Sequence, residues 1–373
     1  MPERGEGPLR PTIMTVSTEA VAANARAIRR ALPAHVRMMC VVKADAYGHD
    51  ALRVARRLRG CGTDAFAVAI VEEAEALRRG GIDDMILILG GACEESLRQA
   101  VRCGASQAVY SEAALDILRD EAVKTGKPAR AHLKIDTGMS RVGVRGTEAL
   151  GKLLDRWQRC PEVVMEGAFT HFCVADSDPD FTALQNARFR EALAAIRAAG
   201  FAPIAHAAAT SAMLKEDLQY DMVRPGIGLY GSCLPELAGQ IDNAQTLSTR
   251  PIRLQAIAAG DTVGYGRTFT ARRDSLIMTL PIGYGDGYPR VLSNRASVLV
   301  KGRRAPLVGR VCMDMVMADV TDIEGVTLDD EVVLMGRQGA ERITPDELAE
   351  LAGTIPYEIM LGFSSRIPVE VID

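Results

Sequence analysis

Lys43 stands in the run Val41-Val42-Lys43-Ala44-Asp45-Ala46-Tyr47-Gly48-His49. The apolar residues Met38-Met39-Cys40-Val41-Val42 before it read as a buried strand, and the small residues and glycine after it read as a loop. A lysine at such a strand end is partly desolvated, holds its proton less tightly and becomes a nucleophile. That chemistry forms a Schiff base with an aldehyde cofactor. Taken alone, the motif is equally met by a strand-end lysine pointing at water, the commoner fate of lysine. Three further motifs carry chemistry: Val263-Gly264-Tyr265-Gly266-Arg267, Pro281-Ile282-Gly283-Tyr284-Gly285-Asp286-Gly287-Tyr288 and Gly309-Arg310-Val311-Cys312-Met313-Asp314. Glycine lets backbone approach a ligand or partner closely. Tyrosine offers a hydroxyl that donates, accepts or, once deprotonated, acts as a base. In isolation such Gly-Tyr pairs are also ordinary turn chemistry.

The elements that must position these residues follow a regular plan. Apolar runs at 38–42, 65–70, 85–89, 107–110, 131–135, 163–170, 203–207 and 222–227 are separated by helical patterns such as 72–79 and 181–199. A helix opens after Ser17, with Thr18 as its expected N-cap. Alternation of strand and helix predicts a parallel sheet, and this many units predicts a closed (β/α)8 barrel of the TIM type. A doubly wound open sheet is the alternative, but no Gly-x-Gly-x-x-Gly follows the first strand. Barrel enzymes carry their site at the C-terminal strand ends. Lys43, then Lys134, Asp136 and Arg141, then His171, then His206, Thr210 and Ser211, and finally Arg224 all fall there. Beyond residue 240 short apolar segments at 251–259, 275–282, 296–300 and 315–320 alternate with Gly, Asp and Arg turns, leaving one helical stretch at 345–351. We therefore expect a barrel over residues 12–240 and a mostly β domain over 241–373, with 9–16 as a strand returning to the second domain.

Composition narrows the class. The 373 residues are 48% hydrophobic and 25% charged, values ordinary for a soluble globular protein. A formal net charge of -4 without long runs of one sign argues against nucleic acid as partner. No apolar stretch is long enough to span a bilayer. Residues 1–7 lack the apolar core of a signal peptide and read as a loose tail. Eight cysteines at 40, 61, 93, 103, 160, 173, 233 and 312 contain no Cys-x-x-Cys pair, so we expect reduced thiols and a cytoplasmic location. His171 and His206 have no third ligand spaced for zinc, so no metal is expected.

Taken together, the motifs resemble alanine racemase, a pyridoxal phosphate family with a barrel and a C-terminal β domain. The resemblance runs from about residue 12 to 370. It is carried by the Lys43 motif, by Lys134-Ile135-Asp136-Thr137-Gly138-Met139-Ser140-Arg141-Val142-Gly143 and by Asp221-Met222-Val223-Arg224-Pro225-Gly226-Ile227-Gly228-Leu229-Tyr230-Gly231. It implies that Lys43 holds pyridoxal phosphate and acts as base on the D face of the substrate. Tyr265, coming from the other subunit of a homodimer, would be the base on the L face. Tyr47, Ser211, Gly226 and Ile227 would hold the phosphate. Arg224 would face the pyridine nitrogen, and Arg141 would bond the phenolic oxygen. His171 would position Tyr265 or Arg224. Met313, through its amide, would help hold the substrate carboxylate, with Tyr284 and Asp314 in support. Lys134 matches a lysine that can be carbamylated to orient Arg141. The chemistry suits these roles: racemisation removes the Cα proton on one face and returns it on the other, so two opposed bases fit. An arginine, which keeps its proton, leaves the pyridine nitrogen unprotonated.

Two positions depart from the family pattern. Thr210-Ser211 stands where Asn-Ser is usual, and Ser365 precedes Arg366-Ile367-Pro368 where a tyrosine is usual. Loss of a large ring suggests a roomier pocket, so alanine is expected as substrate with serine, or a broader set of amino acids, as the alternative. A decarboxylase of the same fold would need a Gly-Pro-x-Cys-Asp pattern, of which Cys312-Met313-Asp314 is a faint echo. A cofactor-carrying non-enzyme would be a barrel alone.

Overall fold

The computed structural model describes residues 10–232 and 234–373, so the tail 1–7 and Cys233 lie outside the described residues. The chain divides into two compact units: Val21–Ile241, and the segment up to Ala20 together with Asp242–Asp373. The first strand, β1 (Ile13–Ser17), belongs to the second of these.

In the unit Val21–Ile241, parallel strands close a barrel in chain order: β2 (Arg37–Val41), β3 (Ala65–Val68), β4 (Met85–Ile88), β5 (Ser106–Val109), β6 (Ala129–Lys134), β7 (Val163–Phe169), β8 (Ile204–Ala209) and β9 (Met222–Arg224). Pairing of Arg37 with Met222 and Met38 with Val223 seals the ring. The expected TIM-type barrel is therefore present. Its strands are short and buried on both faces, as parallel strands under helices must be. The helix Thr18–Ala31 buries Val21, Ala25 and Ile28 at helical spacing, and Arg30 faces outward. Its N-cap differs from the expectation. Ser17 Oγ accepts from the Ala20 amide at 3.1 Å. Thr18 already lies in the helix, and its hydroxyl instead meets the Ile372 carbonyl at 3.3 Å and the Asp373 carboxylate at 3.1 Å.

The second unit is mostly β. One seven-stranded sheet runs in the order Arg303–Pro306, Ser297–Val300, Val332–Gln338, Gln245–Thr249, β1 and Val369–Ile372, with Glu341–Ile343 paired to Val332–Gln338. β1 pairs antiparallel with Gln245–Thr249 and parallel with Val369–Ile372. A three-stranded sheet and a short hairpin, Thr262–Val263 with Phe269–Thr270, complete it. Met14, Val16, Leu247, Leu280, Leu299 and Val333 sit in its buried core, where each such side chain is worth roughly 1.5–3 kcal/mol. The seven described cysteines are free thiols. No helix of the described residues is long and apolar enough to cross a membrane.

Candidate active site

Past β2 the chain does not form the loose loop expected from its sequence. Ala44, Asp45, Ala46 and Tyr47 all have φ between 51° and 56°, a left-handed helical turn built without glycine. Such a conformation costs roughly 1–2 kcal/mol for each L-residue, so neighbours must hold it. The Glu73 carboxylate accepts from the Ala44 amide at 2.6 Å and from the Ala69 and Ile70 amides at 2.7 and 3.3 Å. Asp45 accepts from the Ala51 amide at 2.8 Å. His49, fully buried, directs Nδ1 at the carbonyls of Ala46 and Tyr47, both at 2.9 Å. Burial pushes its pKa down to about 4, so it is neutral. Tyr230 packs on the Tyr47 and His49 rings and donates to the Val41 carbonyl at 2.8 Å. The turn fixes the backbone on which Lys43 is mounted.

The barrel mouth is rich in cations. Burial, then the Arg141 charge, lowers the Lys43 pKa, and only Glu73 opposes them. Lys134 is buried, donates to the Ile135 carbonyl at 3.1 Å, and is pushed down to about 7 by burial and by Arg224 and Arg141. Arg224 is buried at the end of β9 and donates to the Thr170 and Ala207 carbonyls, both at 2.8 Å, and to His206 Nδ1 at 2.8 Å. Desolvation lowers its pKa to about 9. His171 Nδ1 lies 3.3 Å from Arg224 Nη2. Burial and the charges of Arg224, Lys134, Arg141 and Lys43 hold His171 down at about 3, hence neutral. So many cations converging with so few carboxylates suit an anionic ligand.

The loop after β9 is shaped for such a ligand. A β-carbon at Gly226 would fall 2.8 Å from the Tyr47 hydroxyl, so glycine keeps open the space that this hydroxyl faces. Thr210, one of the departures, braces the loop: its Oγ1 accepts from the Gly226 amide at 3.0 Å and the Gly228 amide at 3.3 Å. The Gly226 amide is thus already partnered, which leaves Tyr47, Ser211 and the Ile227 amide as the groups that could take a phosphate. A lysine of lowered proton affinity, a cationic surround without carboxylates on Arg224, and this cradle together fit pyridoxal phosphate.

The remaining expected residues lie in the β unit. Tyr265 sits on a tight turn after Gly264 (φ 71°) and is 71% exposed. Beside it a concavity of about 710 Å³ is lined by Ile252, Met315, Met317 and Cys312. The turn Tyr284–Asp286 is stitched to the Met313 segment by Tyr284 N to Cys312 O at 3.0 Å and Gly285 N to Met313 O at 2.8 Å. Gly283 permits this approach, since a β-carbon there would lie 2.2 Å from the Cys312 carbonyl oxygen. Asp314 accepts from Arg366 at 2.8 Å, and Ser364 binds the Asp286 carbonyl through its amide at 2.9 Å, which places exposed Ser365 on the same stitched surface.

Residues 16–233 match the model of the alanine racemase N-terminal domain, and residues 244–371 match that of the C-terminal domain. The chain belongs to the alanine racemase family. As a member it is an isomerase. The alanine racemase of Symbiobacterium thermophilum is 45% identical over 372 residues, covering 96% of this chain and 97% of that protein. The alanine racemase of Geobacter sulfurreducens is 42% identical over 374 residues and 96% of each chain. The crystal structure of alanine racemase from Bacillus anthracis with bound L-Ala-P superposes with a TM-score of 0.89 at 32% identity, covering 99% of this chain and 96% of that one. A histidine racemase from Leuconostoc mesenteroides subsp. sake also superposes, with a TM-score of 0.86 at 27% identity over 99% of this chain and 100% of that one. Sequence reasoning missed Glu73, whose role depends on a contact with Ala44 far along the chain. It also missed His132, although His132 alternates with Lys134 on one face of β6 and so points the same way, into the barrel.

Proposed function

We propose that this chain interconverts L- and D-alanine with pyridoxal phosphate carried on Lys43. The observation that carries the reading is Lys43 itself: an amine of lowered proton affinity, fixed by a strained turn at a barrel strand end and facing cations. Bound there, pyridoxal phosphate would supply the sink for the electron pair left at Cα. Tyr47, Ser211 and Ile227 would hold the phosphate, with Gly226 keeping their space clear. Arg224 would face the pyridine nitrogen and keep it unprotonated, favouring simple return of the proton over competing chemistry. Arg141 would bond the phenolic oxygen. Lys43 Nζ would take and return the Cα proton on the D face. Tyr265 of the partner subunit would do so on the L face, with Met313, Tyr284 and Asp314 shaping that side.

Support for a homodimer comes from the setting of Tyr265. A tyrosine so exposed, beside exposed Ile252 and Met315, forms an apolar surface of the kind that a second copy covers. Both the Tyr265 motif on a second domain and the family membership favour a racemase over a decarboxylase or a non-catalytic carrier. Serine stays as a second substrate reading because Ser365 replaces a ring on the surface stitched to Tyr284. Chiral chromatography of products from L-alanine, D-alanine and L-serine tests the substrate. A faster rate with serine than with alanine refutes the first choice. Tyr265→Phe should abolish proton exchange at Cα from L-alanine while sparing exchange from D-alanine. Full racemisation by that variant refutes the two-base scheme.

A further inference from the structure

Below Arg224 the barrel interior is polar, although barrel cores are mainly filled by branched apolar side chains. Arg224 Nη1 donates to His206 Nδ1 at 2.8 Å. His206 Nε2 lies 2.8 Å from His132 Nδ1. His132 Nε2 then points to Glu166 Oε2 at 3.4 Å, a long and bent contact but its nearest acidic partner. Glu166 also takes the Ser106 hydroxyl and, at 3.0 Å, the half-exposed Arg130 guanidinium. Both histidines are fully buried.

This line has a single consistent proton pattern. A guanidinium only donates, so His206 Nδ1 carries a lone pair and its Nε2 carries hydrogen. That hydrogen requires a lone pair on His132 Nδ1, which puts the His132 hydrogen on Nε2. An ionised carboxylate only accepts, and Glu166 is ionised: burial alone would raise its pKa, but His132, Ser106 and Arg130 bring it down to about 2. The cation at one end and the anion at the other impose the same polarity on both imidazoles.

The surrounding strands are cut to fit the line. A β-carbon at Gly167 would fall 2.2 Å from His132 Nδ1. The register of β6 against β7 slips between Ala131 and His132, which brings His132 level with Gly167. Phe169 stacks on the His206 ring at 4.9 Å and 3°.

We propose that Glu166 is a positioning residue for Arg224, acting through His132 and His206 to fix the imidazole lone pair that holds the guanidinium at the barrel mouth. The role of Arg224 toward the pyridine nitrogen rests on the proposed function; the proton pattern does not. With five histidines in the chain, nitrogen-15 imidazole spectra of the holoenzyme are tractable, each signal assigned by a single histidine substitution. We expect His132 and His206 to be neutral with hydrogen on Nε2. In Glu166→Gln and Glu166→Ala, we expect the His132 signals to shift or split between tautomers, the His206 Nδ1 signal to move, and kcat to fall by roughly tenfold with KM changing much less, the scale on which supporting partners act. If Glu166→Ala fails to fold, Glu166→Gln decides. The proposal is overturned if either histidine in the unaltered protein is charged or carries its hydrogen on Nδ1. It is also overturned if folded Glu166→Gln keeps kcat, or loses kcat with both imidazole patterns unchanged. Absence of any racemisation by the unaltered protein would refute the proposed function instead, and the imidazole spectra would still decide this one.

Discussion

Replacing Glu73 by glutamine should loosen the turn that carries Lys43. The two Glu73 oxygens accept three amides, those of Ala44, Ala69 and Ile70. Glutamine keeps one acceptor oxygen and turns an NH2 toward either Ala44 or the Ala69 and Ile70 pair. Hydrogen bonds to a charged group contribute about 1.5–3 kcal/mol each. Glu73 is half-buried, so water takes up part of the loss, and we expect a net destabilisation of about 2 kcal/mol. For a unit of this size that lowers Tm by roughly 4–8 °C. The functional effect should be larger than this stability change suggests. The residues from Ala44 to Tyr47 stay left-handed against roughly 1–2 kcal/mol of strain each. Freed of its clamp, Ala44 can relax and carry the adjacent Lys43 backbone with it. Misplacement on the order of 1 Å costs about a hundredfold in rate. Calorimetry and steady-state racemisation with saturating cofactor measure both effects. A Glu73→Gln protein with unchanged Tm and unchanged kcat would show that the turn holds itself, and the reasoning would fail.

Other expectations follow from the same geometry. Gly226→Ala puts a methyl 2.8 Å from the Tyr47 hydroxyl; pyridoxal phosphate should be lost on dialysis faster than from the unaltered protein, and equal retention of its absorbance would argue against the cradle. Acid should weaken the fold early. His49 and His206 are held neutral in the folded chain, His49 with a pKa near 4 against 6.5 when exposed. Because the folded pKa is the lower one, this stability is complete above pH 6.5 and is lost as pH falls toward the folded value. His49 should remove about 2 kcal/mol by pH 5, and His206 acts in the same direction. Urea midpoints that match at pH 7.5 and pH 5 would refute this. Lys134, with a pKa near 7, has much free amine at neutral pH. Labelled bicarbonate, in equilibrium with carbon dioxide, should yield a carbamate carbon signal that is absent from Lys134→Ala, the free amine forming an N–C bond to carbon dioxide and losing a proton. No signal in the unaltered protein would count against the modification.

How much of this was legible depends on where the deciding partner lies. Lys43, Lys134, His206 and Arg224 could be placed because a polar residue ending an apolar run is local information. The left-handed turn could not, since Ala44-Asp45-Ala46-Tyr47 contains no glycine and its clamp is 29 residues away. In the β unit, runs near 275–282 and 296–300 announced themselves by apolar content. Val369–Ile372 did not: it is largely exposed, and it is a strand because β1 lies beside it. The His132 and Glu166 line escaped for a similar reason, because Gly167 makes room for a ring on a neighbouring strand. Thr18 was misjudged as a cap because the partner that takes its hydroxyl comes from the far end of the chain.

That last contact belongs to a sheet with an unusual history. β1 precedes every barrel strand in the chain, and its parallel neighbour, Val369–Ile372, follows all of them. The ribosome delivers every barrel strand before β1 can find either of its partners. The barrel strands are therefore all made before the unit that bears Tyr265 can close its sheet. A product terminated before residue 369 would keep β1 with one edge open, available to another chain in the same condition. The wide separation of the two strands makes loss of residues 369–372 an assembly defect.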